Sequence, residues 1–304
     1  MTELSTAGER GRRRRRRPPW RRWLLAYAFV APVIVLTAAF SLVPLVMLAY
    51  RSLYKGNVFD TDLQWAGLAN YAGSFQSGGG HAIGVTVVYT VLFVAVCMAS
   101  GLGMALLLDV RLPGLRRVRA AFIVPLVVPT VATALIWGSL FAPQFGLISR
   151  LLSAIHLPEV NWFSSPAPAL ATVLLFGCWQ FFGEDVILYL AALKSLPRDI
   201  LEAATVDGAG AWQRFRHMRW PLLRRATALI LVVTTLTGLQ TFTQIFVLTN
   251  GGPGNATETV LYYIYNQGFV QNNTGQADAM GVILFLLSLL VTVMQIAIVR
   301  SAVE

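Results

Sequence analysis

Six long apolar stretches limit what this chain can fold into more than any other feature. They run at about 23–50, 83–108, 120–141, 167–193, 226–248 and 277–299. About 20 apolar residues in helical form cross the ~30 Å hydrocarbon core of a bilayer. Inside that core no water is available to pair backbone N–H and C=O groups, and a helix pairs them within its own segment. Each stretch is therefore expected to be a membrane helix, with Pro32 and Pro44 in the first tolerated as kinks. Hydrophobic residues make up 56% of the 304 and charged residues only 12%, which excludes an ordinary soluble domain. The expected fold class is an all-α polytopic membrane protein with six transmembrane helices, an even number that leaves both termini on one side.

The formal charge of +10 would suit a nucleic-acid binder, but nearly all of it flanks the apolar stretches. Residues 1–22 form a basic segment, with Arg12 to Arg17 unbroken, read as a disordered tail touching anionic headgroups. A secretory signal does not fit, because the first apolar run is too long and lacks a small-residue cleavage pattern. Placing the N-terminus in the cytoplasm puts 21 of the 24 Lys and Arg residues on that side, leaving Arg51, Lys55 and Arg150 outside. By the positive-inside rule both termini are cytoplasmic. The domain division expected is a tail at 1–22 and a membrane domain at 23–304, with a polar cytoplasmic loop at about 194–221. Cys97 and Cys178 lie within apolar stretches and read as buried thiols, and the three histidines have no metal-ligand spacing.

The loop is a charged island too polar for lipid. Pro197 precedes a first helix, Gly208 and Gly210 break it, and a basic second helix is expected to end at Pro221. Ala203 and Ala204 keep the first helix thin, which allows close approach to a partner. Glu202 offers a carboxylate to a basic group on that partner or on the second helix, and Gly208 permits a sharp turn. An amphipathic surface helix lying on lipid is the competing interpretation. On the other side, residues 51–82 are expected to form an irregular loop with one short helix. Residues 142–166, with three prolines, Trp162 and Phe163, suit a compact interfacial cap. Residues 250–276 contain no Lys or Arg and open on the turn signal Asn250-Gly251-Gly252-Pro253-Gly254.

Glu202-Ala203-Ala204, three residues, Gly208, nine residues, then Met218, Trp220 and Pro221 resembles the cytoplasmic loop signature of ABC importer permeases. That family more often has Ile and Leu at the positions of Met218 and Trp220. Leu190 to Pro197 and Asp207-Gly208-Ala209 are also similar. Leu248 to Pro253, with Thr257, Thr259 and the aromatic stretch from Tyr262 to Phe269, resembles the sugar-importing branch, specifically the first of two paired permeases in maltose- and glycerol-phosphate-type systems. The resemblance covers about 24–299 and implies a type I ABC importer permease fold in the cell membrane. It also implies docking of Glu202, Ala203, Ala204, Asp207, Gly208, Ala209 and Pro221 on an ATPase, and a binding-protein side at Asn250, Gly251, Gly252 and Pro253. The implied partners are a second permease in a heterodimer, a cytosolic ATPase dimer and an extracytoplasmic solute-binding protein, with no nucleic acid. The chain has only Lys55 and Lys194, neither in a P-loop. It is thus expected to be a transporter subunit rather than an enzyme, binding no cofactor itself, with ATP used by the partner.

Polar residues within the apolar stretches are the candidates for a substrate path. These are Thr130, Trp179, Gln180, Phe181, Glu184, Thr237, Gln240, Thr241 and Gln244. The resemblance maps sugar contacts near Thr130, Gly177, Gln180, Phe181, Thr237, Gly238 and Thr241. An aromatic face such as Trp179 stacks on sugar C–H groups, and amides bond hydroxyls. A threonine, by contrast, often bonds its own helix, so the glutamines are the better cavity candidates. Glu184 and Asp185 are adjacent acids about 100° apart on a helix, read as a contact to a polar substrate or as a pair tied to a neighbouring helix. A proton-coupled secondary transporter using these acids is the main alternative, though no internal repeat supports it. An ABC permease for a non-sugar solute is another.

Overall fold

The computed structural model describes residues 19–56, 64–109, 115–143, 145–156, 158 and 160–303, and side chains over the same ranges apart from 19–26, 115, 116, 198 and 299–303. The arginine run at 12–17 and Arg111 lie outside the described residues. Contacts divide the chain into two units, Met1–Leu48 and Ala49–Glu304. In the first unit α1 (Pro19–Thr37) continues through a wide turn at Ala38–Leu42 into α2 (Val43–Arg51), whose last residues belong to the second. The wide turn has a local cause. Pro44 would press its ring on the carbonyl of Phe40 and offers it no N–H. A π-turn, with Val43 N–H bonded to Ala38 O, opens the helix at that point.

The second unit begins with a two-stranded antiparallel ladder, β1 (Tyr54–Lys55) with Tyr54 opposite Trp65 of β2 (Gln64–Trp65). Then follow α3 (Ala69–Gln76), α4 (Gly79–Leu108), α5 (Leu115–Val127), α6 (Thr130–Leu140), α7 (Leu147–Ala154) and α8 (Pro166–Lys194). The island holds α9 (Arg198–Val206) and α10 (Ala211–Arg214), and a π-turn at Phe215–Arg219 leads into α11 (Trp220–Leu239). Last come α12 (Thr243–Leu248), α13 (Val260–Tyr265), a π-turn at Asn266–Val270, and α14 (Thr274–Val303).

Among the described residues five helices are long and apolar enough to cross a membrane, and a sixth span arises if α5 and α6 count as one. That pair departs from the expected continuous helix at 120–141: it bends by 95°. Pro129 is the reason. It has no N–H for the carbonyl of Pro125, and it biases Val128 away from the helical region. Pro221 departs in the opposite sense. It does not end the second island helix but sits in the first turn of α11, so α10 and α11 run on as one helix. The π-turn at Phe215–Arg219, closed by Trp220 N–H on Phe215 O, does at Pro221 what the first π-turn does at Pro44.

The helices α4 and α8 form the parallel spine, and three apolar clusters stack along it. One joins Ala105, Val186, Tyr189, Leu193 and Leu223; the next joins Tyr89, Phe93, Val173 and Ile245; the third joins Ala82, Val260, Tyr263 and Met280. Lipid supplies no hydrophobic drive between helices, so small residues that let backbones approach carry much of the association. A Cβ on Gly101 would lie 2.6 Å from the Cβ of Asp185, and one on Gly177 would strike the Tyr89 hydroxyl. At Gly183 a Cβ would meet the carbonyl of Phe122, so α8 and α5 touch backbone to side-chain-free backbone. Gly183→Ala is expected to lower stability by about 1–3 kcal/mol through overpacking, read as a lower midpoint of thermal unfolding in detergent; Gly103→Ala, where nothing lies within 4 Å, should leave that midpoint unchanged.

Candidate functional site

The island is built around one helix stop. α9 ends at Val206 with Asp207 as its C-cap, and Gly208 follows with φ of +79°, a left-handed conformation that glycine adopts without strain. The Gly208 N–H bonds Thr205 O at 3.2 Å and the Ala209 N–H bonds Ala204 O at 2.9 Å, the pair of contacts that closes a Schellman stop. Arg214 then donates to the Thr205 hydroxyl at 2.8 Å and ties the second helix to the first. Of the two roles the sequence offers Glu202, a bond to the second helix or to a partner, it does not make the first; it is exposed, as are Ala203, Asp207 and Gly208. Ala204 is buried, and Leu201, three residues before it on the same face, packs on the first apolar cluster. Among the exposed charges the outward surface also carries large apolar side chains: Val206 is 88%, Trp212 71% and Ile200 45% exposed. Pro221 is exposed at the start of α11.

The island is joined to the spine at the end of α4. Arg219, the last residue of the π-turn, pairs with Asp109 at 3.5 Å, and Arg119 from α5 donates to the Leu108 carbonyl at 2.5 Å. Two guanidinium groups thus meet a helix C-terminus, where free carbonyls and the dipole favour cations. Sequence inspection did not single out Asp109, Arg119 or Arg219, since nothing in their spacing announces that three separate segments converge.

The residues nominated for a substrate path go to several places. Gln180 is 1% exposed, and its amide donates to the carbonyl of Pro125 and, at 3.3 Å, to that of Val128, while Thr133 donates to its Oε1 at 3.1 Å. The carbonyl of Pro125 is the one that Pro129 leaves without a donor, so Gln180 completes the broken helix from outside. Trp179 turns instead to α6 and packs at tilted angles on Trp137, at 5.4 Å between ring centroids, and on Phe176. Phe181 meets Phe93 of α4 edge-on. Asp185 is buried and accepts from Thr234 at 2.8 Å, with its other oxygen unpartnered; Glu184 is half-buried. The hydroxyls of Thr237 and Thr241 bond carbonyls of their own helix, at Val233 and Thr237. Gln244 is buried and donates to Tyr89, whereas Gln240 is exposed at the break between α11 and α12. Thr130 is half-buried at the start of α6. A separate groove of about 320 Å³ between α4, α11 and α14, lined by Thr90, Thr235, Leu239 and Gln295 among others, contains none of the nominated residues.

The turn at 250–253 is closed on itself. Asn250 and Gly251 have φ of +48° and +80°, and a Cβ on Gly251 would lie 2.7 Å from the Tyr262 ring. Thr257 bridges the Thr249 hydroxyl at 2.7 Å and the Gly252 carbonyl at 2.8 Å. The neighbouring Glu258 is 4% exposed. Burial pushes its carboxyl above the usual range, against the opposing pull of Asn266 and of His81.

With this geometry in view, the profile of the family described as "binding-protein-dependent transport system inner membrane component" matches residues 102–303. The sulfoquinovosyl glycerol transport system permease protein of Agrobacterium fabrum is 30% identical, over 93% of this chain and 95% of its own. The sn-glycerol-3-phosphate transport system permease protein of the same organism is 31% identical, over 92% and 96%. The trehalose/maltose transport system permease protein of Thermococcus litoralis is 29% identical, over 91% and 94%. The crystal structure of a bacterial alginate ABC transporter with its alginate pentasaccharide-bound periplasmic protein contains a chain of the same fold. It has a TM-score of 0.82 and 24% identity, covering 94% of this chain and 96% of that one.

Two expectations follow from the site. Gln180→Leu leaves a buried carbonyl without a donor and should cost about 1–3 kcal/mol; adding Pro129→Ala, which restores a peptide N–H at that position, should recover part of the loss in the same thermal-unfolding assay. For Glu258 the folded-state pKa is raised, so the protonated form is favoured in the fold. Its contribution is fully present below the unfolded carboxylate range and is lost as pH rises through the raised value. Glu258→Gln should therefore flatten the pH dependence of the unfolding midpoint in the window just above the ordinary glutamate range and raise the midpoint at neutral pH.

Proposed function

The chain belongs to the binding-protein-dependent transport system inner membrane component family, and on that premise we propose that it is the membrane-spanning subunit of an ATP-driven carbohydrate importer. The observation that carries this proposal is the island: a rigid Schellman-stopped helix pair with large apolar side chains exposed at Val206 and Trp212. Largely exposed aromatic and aliphatic side chains on a folded cytoplasmic loop fit a protein partner better than water. That partner is a cytosolic ATPase pair, as the resemblance of the island's spacing implies; the chain's two lysines, Lys55 and Lys194, lie in no P-loop. The Lys and Arg distribution supports the island and both termini on the cytoplasmic side. A second permease completes the membrane part, and an extracytoplasmic binding protein delivers solute to the side bearing Asn250 to Pro253.

Carbohydrate is the substrate class because the similar permeases named above are described as serving sulfoquinovosyl glycerol, trehalose or maltose, and glycerol phosphate. Trp179 and Gln240, at the helix break, are exposed, and Thr130, Phe181, Glu184 and Thr237 are half-buried, so these are the members of the nominated path with surface left for a solute. Closure of the ATPase pair on ATP moves the island, and the island moves α4 and α5 through Arg219 and Arg119 at the α4 terminus.

In the assembled complex, Glu202→Ala and Gly208→Pro should abolish the rise in ATP hydrolysis caused by loaded binding protein, and uptake into vesicles with it. Proline cannot adopt the positive φ of position 208. Normal stimulation and uptake in both variants would refute the coupling role. Trp212→Ala should weaken ATPase association by about 30-fold or more, as expected for a buried aromatic anchor worth about 2 kcal/mol or more, read by titrating ATPase onto the immobilised permease.

A further inference from the structure

The helix α7 carries an uncovered apolar stripe. Its inward side carries Ser149, 8% exposed, whose hydroxyl donates to the Ala142 carbonyl at 3.2 Å. Its outward side carries Leu147 at 53%, Leu151 at 54% and, one turn on, Ile155 at 65% exposed. These three recur every four residues and so share one face. Phe145, just before the helix, is 76% exposed. Ile148 and Leu152 are half-buried on the inward side, so the helix carries apolar residues on both sides, and in water the uncovered outer stripe would be unfavourable. The apolar face therefore meets an apolar medium.

We propose that this face lies on the bilayer itself, as an interfacial helix seated at the boundary between headgroups and acyl chains. Three observations select lipid over a protein occupant. First, the chain enters this segment from α6, which ends at Leu140, and leaves it into α8, which begins at Pro166, so both ends are anchored in membrane-spanning elements. Second, the adjoining helix α6 also turns apolar residues outward, with Val131, Leu135 and Ile136 51–60% exposed, as a segment inside a membrane does. Third, Arg150 is exposed beside Leu147 and Leu151 and is the only Lys or Arg between residues 142 and 166. A cation at the edge of an apolar helix face matches a phosphate headgroup above acyl chains. Trp162, in ring contact with Phe141 at 5.2 Å, sits in the same segment, where aromatic residues favour the interface. The helix thereby holds the outer end of α6 in the plane of the membrane surface, beyond the 95° bend.

The test uses the assembled complex in nanodiscs of phosphatidylcholine and phosphatidylglycerol. A nitroxide is attached at Leu151→Cys and, separately, at Leu147→Cys; Ser153→Cys, exposed on the other flank of the helix, serves as the contrast. The native Cys97 and Cys178 are buried, and the unsubstituted protein carried through the same labelling gives the background. Both leucine-site labels should collide with oxygen severalfold more often than with a water-soluble nickel chelate, and the Ser153 label should show the opposite ratio. Nickel access at 147 and 151 would mean water, and exclusion of both reagents would mean a covering protein such as the binding protein or the second permease; either result overturns the proposal.

Discussion

Everything in this structure answers to one constraint: within the hydrocarbon core each backbone carbonyl needs a donor from protein. Proline violates it by withholding an N–H, and Pro44 and Pro129 in the apolar segments, with Pro221 at the foot of α11, show three repairs of two kinds. At Pro44 and Pro221 the preceding turn widens to π geometry, so the helix continues with its pairs shifted by one residue. At Pro129 the helix breaks, and a side chain from another span, Gln180, supplies the missing donor. The difference matters for function. The first repair makes a continuous helix out of a chain that looked interrupted, and the second makes a permanent bend out of one that looked continuous.

The same constraint explains how much of the fold was legible in the sequence. Length and hydropathy located the five described helices that are long and apolar enough to cross a membrane and the bent pair that would make a sixth, because crossing a bilayer needs a length of apolar chain and little else. The island was legible too, since Gly208 and the flanking charge are local signals of a helix stop outside lipid. What was not legible was which proline would break a helix. That outcome depends on a partner 51 positions away in the case of Pro129 and Gln180, and no local pattern carries it.

The substrate path was the least legible part, for a related reason. A polar residue in a span is equally costly whether it faces a cavity or a neighbouring helix, so polarity alone marks both. Gln180 and Gln244 seemed the strongest cavity candidates because amides are hard to bury, and that difficulty is why they are engaged, on Pro125 and on Tyr89. Thr237 and Thr241 turn back on their own helix. Trp179 and Gln240 keep exposed surface, and they do so because neither repairs a backbone defect. Asp185, bound through one oxygen to Thr234, is a tie between α8 and α11 whose adjacent Glu184 points elsewhere.

The unbroken run from α10 through the π-turn into α11 has a mechanical meaning. From Ala211 to Leu239 it is a single rod of ~40 Å at 1.5 Å per residue. Gly238, where a Cβ would press within 3.0 Å of Thr90, bears directly on α4 near its far end. A lever supported there turns a small swing of its charged tip into torque on the helices around that support. It stays stiff through Pro221 because the wide turn takes up the ring without a joint.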